Sequence, residues 1–291
     1  MQCLRRQFLK TVLQGTVCLE LTYFSGCMPI QHINRRQRKP NIILICTHGL
    51  SCMDLGCYGQ KQVKTPHLDR MAKQGKIFTR FYACTLDYTI AEIIKRAGYM
   101  TGCIGIWSKE NSPAAASPFQ SGFDYFFGYS DSDNIAKMDY TPDLFLQESL
   151  AFIEEYADQA FFLCLSGILP DTHISQDLKY RLSSVACIDH YIYCILKKIR
   201  KLGLDSDTVV FFTSYTCSNS NTASKINAYN SMAKAPLIVR WPGKIKPGIT
   251  DHISTFRDFK VTLACLSGAS ARYDCPGDSL LPVLSGYGIG Y

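Results

Sequence analysis

Several features that would classify a protein at once are missing from this sequence. None of the 14 cysteines forms a Cys-x-x-Cys pair, and no group of cysteines and histidines has zinc-finger spacing. Internal repeats and long low-complexity runs are absent as well. These absences exclude zinc-finger and repeat architectures. They leave a globular protein, and the apolar fraction of 47% and charged fraction of 19% are typical of one.

Acidic residues are scarce near the N-terminus. Residues 1–40 carry a net charge of +6, with Glu20 as their only carboxylate, whereas the whole chain carries +7. We interpret this distribution as a basic leader on a near-neutral domain, which disfavours a nucleic-acid-binding surface. Several cysteines lie inside apolar runs, namely Cys46, Cys103 and Cys164, where they are expected to act as small buried hydrophobes.

The leader resembles a bacterial twin-arginine export signal. Arg5 and Arg6 are followed by Gln-Phe-Leu-Lys and by the apolar stretch Thr11–Phe24, which is too short to span a membrane as an ordinary helix. Phe24-Ser-Gly-Cys27 then looks like a lipobox, although Glu20 departs from the pattern. We therefore predict export to the periplasm or cell envelope by residues 1–27. A lipid on Cys27 would be the sole membrane anchor, and residues 28–39 would form a tether.

From residue 40 onward, buried strands alternate with amphipathic helices. Strands are predicted at 41–46, 99–107, 160–165, 207–214 and 235–241, and helices at 65–75, 89–98, 143–156, 176–202 and 255–266. Thr89 and Glu92 have capping-box spacing, and Asp189 on the longest helix is expected to make a hydrogen bond within the packed interior. The alternation predicts an α/β fold, with a doubly wound, mostly parallel central sheet covered by helices on both faces.

Six segments carry a resemblance to a known family. They are 55–83 (LGCYGQKQVKTPHLDRMAKQGKIFTRFYA), 89–105 (TIAEIIKRAGYMTGCIG), 121–129 (SGFDYFFGY), 205–214 (DSDTVVFFTS), 235–248 (APLIVRWPGKIKPG) and 278–286 (DSLLPVLSG). In this order they resemble the N-terminal domain of type I sulfatases, in the alkaline phosphatase superfamily. The resemblance implies an alkaline phosphatase/sulfatase-like domain over residues 40–291, without the family's C-terminal subdomain.

The resemblance also implies a calcium site, whose ligands this chain does not retain. Sulfatases cleave sulfuric esters with a formylglycine made from Cys or Ser in a C/S-x-P-S-R motif, and two acidic pairs hold calcium. The first pair, Asp-Asp, corresponds to His48 and Gly49, and the second, Asp-Asn, corresponds to Tyr215 and Thr216. Calcium requires hard oxygen ligands, so no cofactor is expected here.

The other catalytic positions are altered too. The nucleophile motif should follow Ala83, but Cys84 is followed by Thr-Leu-Asp and then by the Thr89 helix. We therefore expect several tens of the family's residues to be missing at this point. The family's Gly-Lys-Trp-His corresponds to residues 105–108 (GIWS), and its Pro-His to residues 170–171 (PD). Only Lys225 plausibly matches an active-site lysine of the family.

Three functional hypotheses remain. The first is a sulfatase-family protein that has lost catalysis. The second is an active sulfuric or phosphoric ester hydrolase with a rebuilt metal site, using His48, Asp171 and Lys225 and aided by Asp54 or His173, although His48 also fits an ordinary surface-loop histidine. The third is an envelope protein that binds sulfated glycans through the old cleft without cleaving them.

Overall fold

The computed structural model describes residues 39–83, 89–107, 117–130, 142–167, 178–215, 234–269 and 277–286. The strands are β1 (Asn41–His48), β2 (Lys76–Phe78), β3 (Phe81–Tyr82), β4 (Met100–Trp107), β5 (Tyr125–Ser130), β6 (Phe161–Ser166), β7 (Thr208–Tyr215), β8 (Leu237–Arg240), β9 (Gly248–Thr250) and β10 (Ser254–Thr255). The helices are α1 (Pro66–Lys73), α2 (Ile90–Arg96), α3 (Pro142–Glu155), α4 (Leu178–Lys201), α5 (Phe256–Ser267) and α6 (Leu281–Ser285). Within these ranges, no helix is both long enough and apolar enough to cross a membrane.

Eight strands form one sheet in the order β5-β4-β6-β1-β7-β8-β2-β9. Strands β5, β4, β6, β1 and β7 are all parallel, whereas β8 runs antiparallel to both of its neighbours. The predicted mostly parallel sheet is therefore confirmed. Strand β1 lies inside the parallel block, between β6 and β7, so its carboxyl end is flanked by two other strand ends. That edge is where ligands bind in open α/β sheets.

Helices cover both faces of the sheet, because successive side chains of a buried strand point to opposite sides. Leu44 and Cys46 face a core shared with α2, α5 and α6, whereas Ile43 and Ile45 face a core shared with α1, α3 and α4. Cys103 and Cys164 are buried in the first core beside Cys46. The cysteines that the sequence placed in apolar runs thus act as small core residues.

Helix α1 is capped by a carboxylate from another helix. Asp189, on α4, is buried and accepts hydrogen bonds from the backbone N–H groups of His67 (2.9 Å) and Leu68 (2.8 Å). Thr65, which precedes the helix, makes no capping hydrogen bond to it and instead donates its hydroxyl to Asp69. Asp189 therefore satisfies two of the amides that a helix start leaves unpaired, and it ties α1 to α4.

The capping box expected at Thr89 and Glu92 is wrong. Thr89 has φ −62° and ψ −10°, which is helical rather than the extended conformation of a capping residue, and its side chain makes no capping bond. Its hydroxyl accepts from the Lys260 ammonium on α5 at 2.9 Å, and Glu92 pairs with Arg96 on its own helix. Packing of α2 against α5 thus overrides the local signal.

Removal of the Asp189 carboxylate should destabilise the domain. Asp189→Ala leaves two amides at the start of α1 unpaired, so we expect a loss of about 1–3 kcal/mol in the free energy of unfolding. Denaturant unfolding of the purified protein measures this loss. Asp158→Ala, at an exposed position, is the matched control and should change stability by less than about 0.5 kcal/mol. Equal losses of unfolding free energy for the two substitutions would show that the Asp189 carboxylate does not cap α1.

Candidate functional site

Three of the four positions that the resemblance assigns to the family's acidic pairs are described, and they lie side by side. His48 ends β1 and is in register with Tyr215, which ends β7. The two rings meet edge to face with their centroids 5.0 Å apart. Gly49 follows with φ 74°, a conformation that favours glycine, and its N–H donates to the Tyr215 carbonyl at 3.1 Å. An imidazole, a glycine and a phenol therefore stand where the family resemblance places three carboxylates.

The Tyr215 side chain extends from β7 past β1 to the end of β6. Its phenol oxygen is hydrogen-bonded to the Ser166 side chain, and only 8% of the residue is exposed. Burial raises the pKa of Tyr215 well above its ordinary value, and the nearby Cys46 thiol acts in the same direction. The phenol therefore stays neutral at pH 7. A neutral phenol is a poor substitute for a carboxylate beside a hard divalent cation.

Gly167 leaves space beside the phenol oxygen. Gly167, just after β6, has φ 58°, and a Cβ added there would lie 2.8 Å from the Tyr215 hydroxyl oxygen and 3.2 Å from the Ile106 Cβ. Ile106, near the end of β4, occupies the position that corresponds to the family's lysine. The absence of a side chain at Gly167 thus makes room for the phenol, and an apolar side chain lies where the resemblance places the family's lysine.

The first carboxylate after β1 has a local role. Asp54 accepts a hydrogen bond from the Ser51 backbone N–H at 2.8 Å, while the Ser51 side chain accepts from the Met53 N–H. This capping box closes a short 3₁₀ helix over Cys52–Asp54. In the described part of the chain, no group of three or more His, Cys, Asp and Glu side chains is arranged to hold a metal ion.

Among the described residues, Lys234 brings a positive charge to this edge of the sheet. Lys234 forms an isolated bridge with Tyr82 and precedes β8, whose first residue, Leu237, pairs with Thr213 near the end of β7. Lys234 lies close enough to the Cys52 thiol for its positive charge to affect the pKa of that thiol. Burial raises the pKa of Cys52 to about 11, although Lys234 acts in the opposite direction, so the thiol stays protonated at pH 7.

Much of the predicted site lies outside the described residues. This applies to the export motif, to the lipidation site, to the second member of the second acidic pair, and to the positions expected to carry the nucleophile, the histidines and the lysine. These residues are Arg5, Arg6, Cys27, Cys84, Ser108, Asp171, His173, Thr216 and Lys225. Sequence reasoning missed Ser166, Gly167 and Lys234. The serine and the glycine belong to no motif, and only the register of β6 beside β1 shows their place.

The space left by Gly167 for the phenol can be tested by substitution. Gly167→Ala should lower the free energy of unfolding by about 2–4 kcal/mol, because it adds left-handed backbone strain and a clash with the Tyr215 hydroxyl. Gly203→Ala is the matched control: Gly203 has φ 71°, but nothing lies within 4 Å of an added Cβ, so only about 1 kcal/mol of strain is expected.

A double-mutant cycle tests whether the clash with the phenol causes the larger loss of stability expected for Gly167→Ala. Tyr215→Phe removes the phenol oxygen, so it should reduce the cost of Gly167→Ala by about 1 kcal/mol or more when unfolding is measured on all four proteins. Strictly additive effects would show that the phenol does not reach Gly167.

Comparison with known proteins identifies the family. The family described as Sulfatase matches residues 40–86 and 87–269. Arylsulfatase A from Homo sapiens is 26% identical over 351 aligned residues, which cover 86% of this chain and 69% of the relative. Arylsulfatase from Hemicentrotus pulcherrimus is 25% identical over 329 residues, which cover 81% of this chain and 60% of the relative. The chain thus spans roughly two thirds of the length of these relatives.

The alignment to arylsulfatase A indicates internal gaps. Since 86% of 291 residues is about 250, about 100 of the 351 aligned positions face no residue in this chain. The family match is also divided between residues 86 and 87, next to the segment where the sequence predicts missing residues. The position of this division is the one at which a shortened nucleophile region is predicted.

The fold has solved counterparts. The structure of BT4656 in complex with its substrate D-glucosamine-2-N,6-O-disulfate superimposes with a TM-score of 0.69 at 17% identity, covering 86% of this chain and 81% of that one. At this identity the likeness shows the fold alone, and it is the fold expected from the sequence. Together with the family match over most of the chain, it leads to one conclusion: this chain belongs to the sulfatase family.

Proposed function

We propose that this chain is a sulfatase-family protein that has lost calcium-dependent hydrolysis of sulfuric esters. One observation carries the proposal: His48 and Tyr215 lie in register with their rings in contact, at the strand ends that correspond to the two acidic pairs. Calcium takes six to eight oxygen ligands in proteins. The imidazole, the unsubstituted glycine at Gly49 and the neutral phenol do not fit such an ion.

The packing of side chains at this edge of the sheet supports the same proposal. The Tyr215 phenol is hydrogen-bonded to Ser166 and lies close to Gly167, which Ile106 also approaches, so side chains of the protein itself occupy the edge. Restoration of a hard-cation site would need more than one substitution, because the acidic pairs and the space between them have both changed. A rebuilt hydrolase site with His48, Asp171 and Lys225 is the alternative proposal. His48 is the member of that set that the structure describes, and its ring packs on Tyr215.

A second candidate function is the binding of sulfated glycans without cleavage. Lys234 at the same edge favours it, since an anion there would meet a cation and none of the family's acidic pairs. BT4656, which shares the fold, was solved with a disulfated sugar. The export motif at Arg5 and Arg6 and the possible lipid on Cys27 belong to this proposal, because they would place the protein at the cell envelope.

Calcium should neither stabilise this protein nor activate it. A ligand that binds only the folded state raises the melting temperature, so millimolar calcium should leave the unfolding midpoint unchanged. The same sample should not hydrolyse an aryl sulfate above the rate of a heat-inactivated sample. Human arylsulfatase A serves as the positive control for turnover.

Two outcomes would overturn this proposal in different ways. Calcium-dependent turnover would show that the family's activity is retained. Turnover that depends on a stoichiometrically bound transition metal and is lost in His48→Asn would favour the rebuilt site instead.

Glycan binding makes a separate prediction. Immobilised sulfated glycans should retain the protein, and the desulfated glycans should not. Loss of one charge-assisted contact costs about 1.5–3 kcal/mol, so Lys234→Ala should weaken binding about tenfold or more. Lys225→Ala tests the second lysine, and Lys61→Ala, at an exposed lysine close to the start of α1, is the matched control for net charge. Equal effects of all three substitutions would indicate nonspecific attraction to a basic surface.

A further inference from the structure

The outward face of α4 carries an unusual set of side chains. One stripe of the helix is buried, as the spacing of its isoleucines predicts. The opposite stripe places Cys187, His190 and Cys194 at successive turns of one face, with Cys187 and His190 exposed and Cys194 half-buried. The outer stripe of an amphipathic helix normally carries charged and polar groups. Two thiols and an imidazole in line are more typical of ligands for a soft or borderline cation.

Two of these groups already have a chelating geometry. The Cys194 sulfur lies 3.4 Å from His190 Nε2, four residues earlier on the same helix. In tetrahedral zinc sites the Zn–S distance is about 2.3 Å and the Zn–N distance about 2.0–2.1 Å, which places the two donor atoms about 3.6 Å apart. The spacing of the two donor atoms therefore already matches that of a tetrahedral chelate. Because the helix backbone fixes both Cα atoms, little order is lost on binding.

We propose that His190 and Cys194 form a two-ligand site for a thiophilic divalent cation, with Zn²⁺ as the foremost candidate. The neutral imidazole donates through Nε2, and the thiol loses its proton to solvent as the S–metal bond forms. Two positions of the tetrahedron then remain for water or for donors of another molecule. The site lies on α4, whereas the altered sulfatase positions lie at the strand ends, so it does not depend on the proposed function.

Cys187 lies outside this chelate. Seven residues separate it from Cys194, which corresponds to about 10.5 Å along a helix axis, too far for both sulfurs to bind one ion. The Cys194 sulfur, by contrast, lies 3.4 Å from His190 Nε2. The surroundings on the other side are aromatic: the Tyr193 ring lies 6.0 Å from His190 and packs on His67 at 4.5 Å.

Metal binding to the full chain tests this site. The protein is stripped of metal under reducing conditions and titrated with Co²⁺, and bound metal is counted by equilibrium dialysis. A thiolate ligand gives a sulfur-to-cobalt charge-transfer absorption. His190→Ala and Cys194→Ser should each bind one equivalent less than the unmodified protein and lose that absorption. Excess Zn²⁺ should displace the Co²⁺ from the unmodified protein. Unchanged melting temperatures would show that both variants are folded.

Two controls separate this chelate from other thiols. Cys187→Ala removes the neighbouring exposed thiol, and Cys265→Ala removes an exposed thiol on α5 that has no histidine within one helical turn. Both should bind metal as the unmodified protein does. The proposal is overturned if His190→Ala binds as much metal as the unmodified protein. It is also overturned if Cys187→Ala binds one equivalent of metal less, or if Cys265→Ala loses as much metal binding as Cys194→Ser. Arylsulfatase activity and calcium response play no part in this readout.

Discussion

The parallel pairing of β1 with β7 is the constraint on which the rest of the site depends. Eight residues of each strand run in register from Asn41 opposite Thr208 to His48 opposite Tyr215. A one-residue slip would turn every buried side chain to the other face, so two apolar cores fix this register from both sides. The strand ends are therefore held together, whichever residues occupy them. The family's fold therefore does not depend on which residues stand at this edge.

Burial then decides what these residues can do. A tyrosine at the solvent-exposed end of a strand could become a ligand or a nucleophile, but Tyr215 is almost completely buried among thiols and the Ser166 hydroxyl. Its raised pKa keeps it neutral, and Gly167 leaves room for its ring rather than for an ion. The edge behaves as a packed boundary of the core. A site that binds anions without cutting them would have to use cations at its rim, such as Lys234.

The sequence predicted the layers of this fold well, because buried parallel strands and capped helices have strong local patterns. It also placed His48 and Tyr215 at strand ends, since each follows a continuous apolar run. It could not show that Tyr215 reaches Ser166, because β6 lies about 50 residues away in sequence and neither residue belongs to a motif. The capping partner of α1 was hidden for the same reason, since Asp189 is 122 residues from His67. At Thr89 the local capping signal was overridden by contact with α5.

A crystal structure of the protein grown in millimolar calcium tests the central claim most directly. The account predicts that Tyr215 lies against Ser166 and Gly167, and that calcium is absent from the ends of β1 and β7. A calcium ion coordinated by residues at these two strand ends, with the phenol displaced, would contradict it.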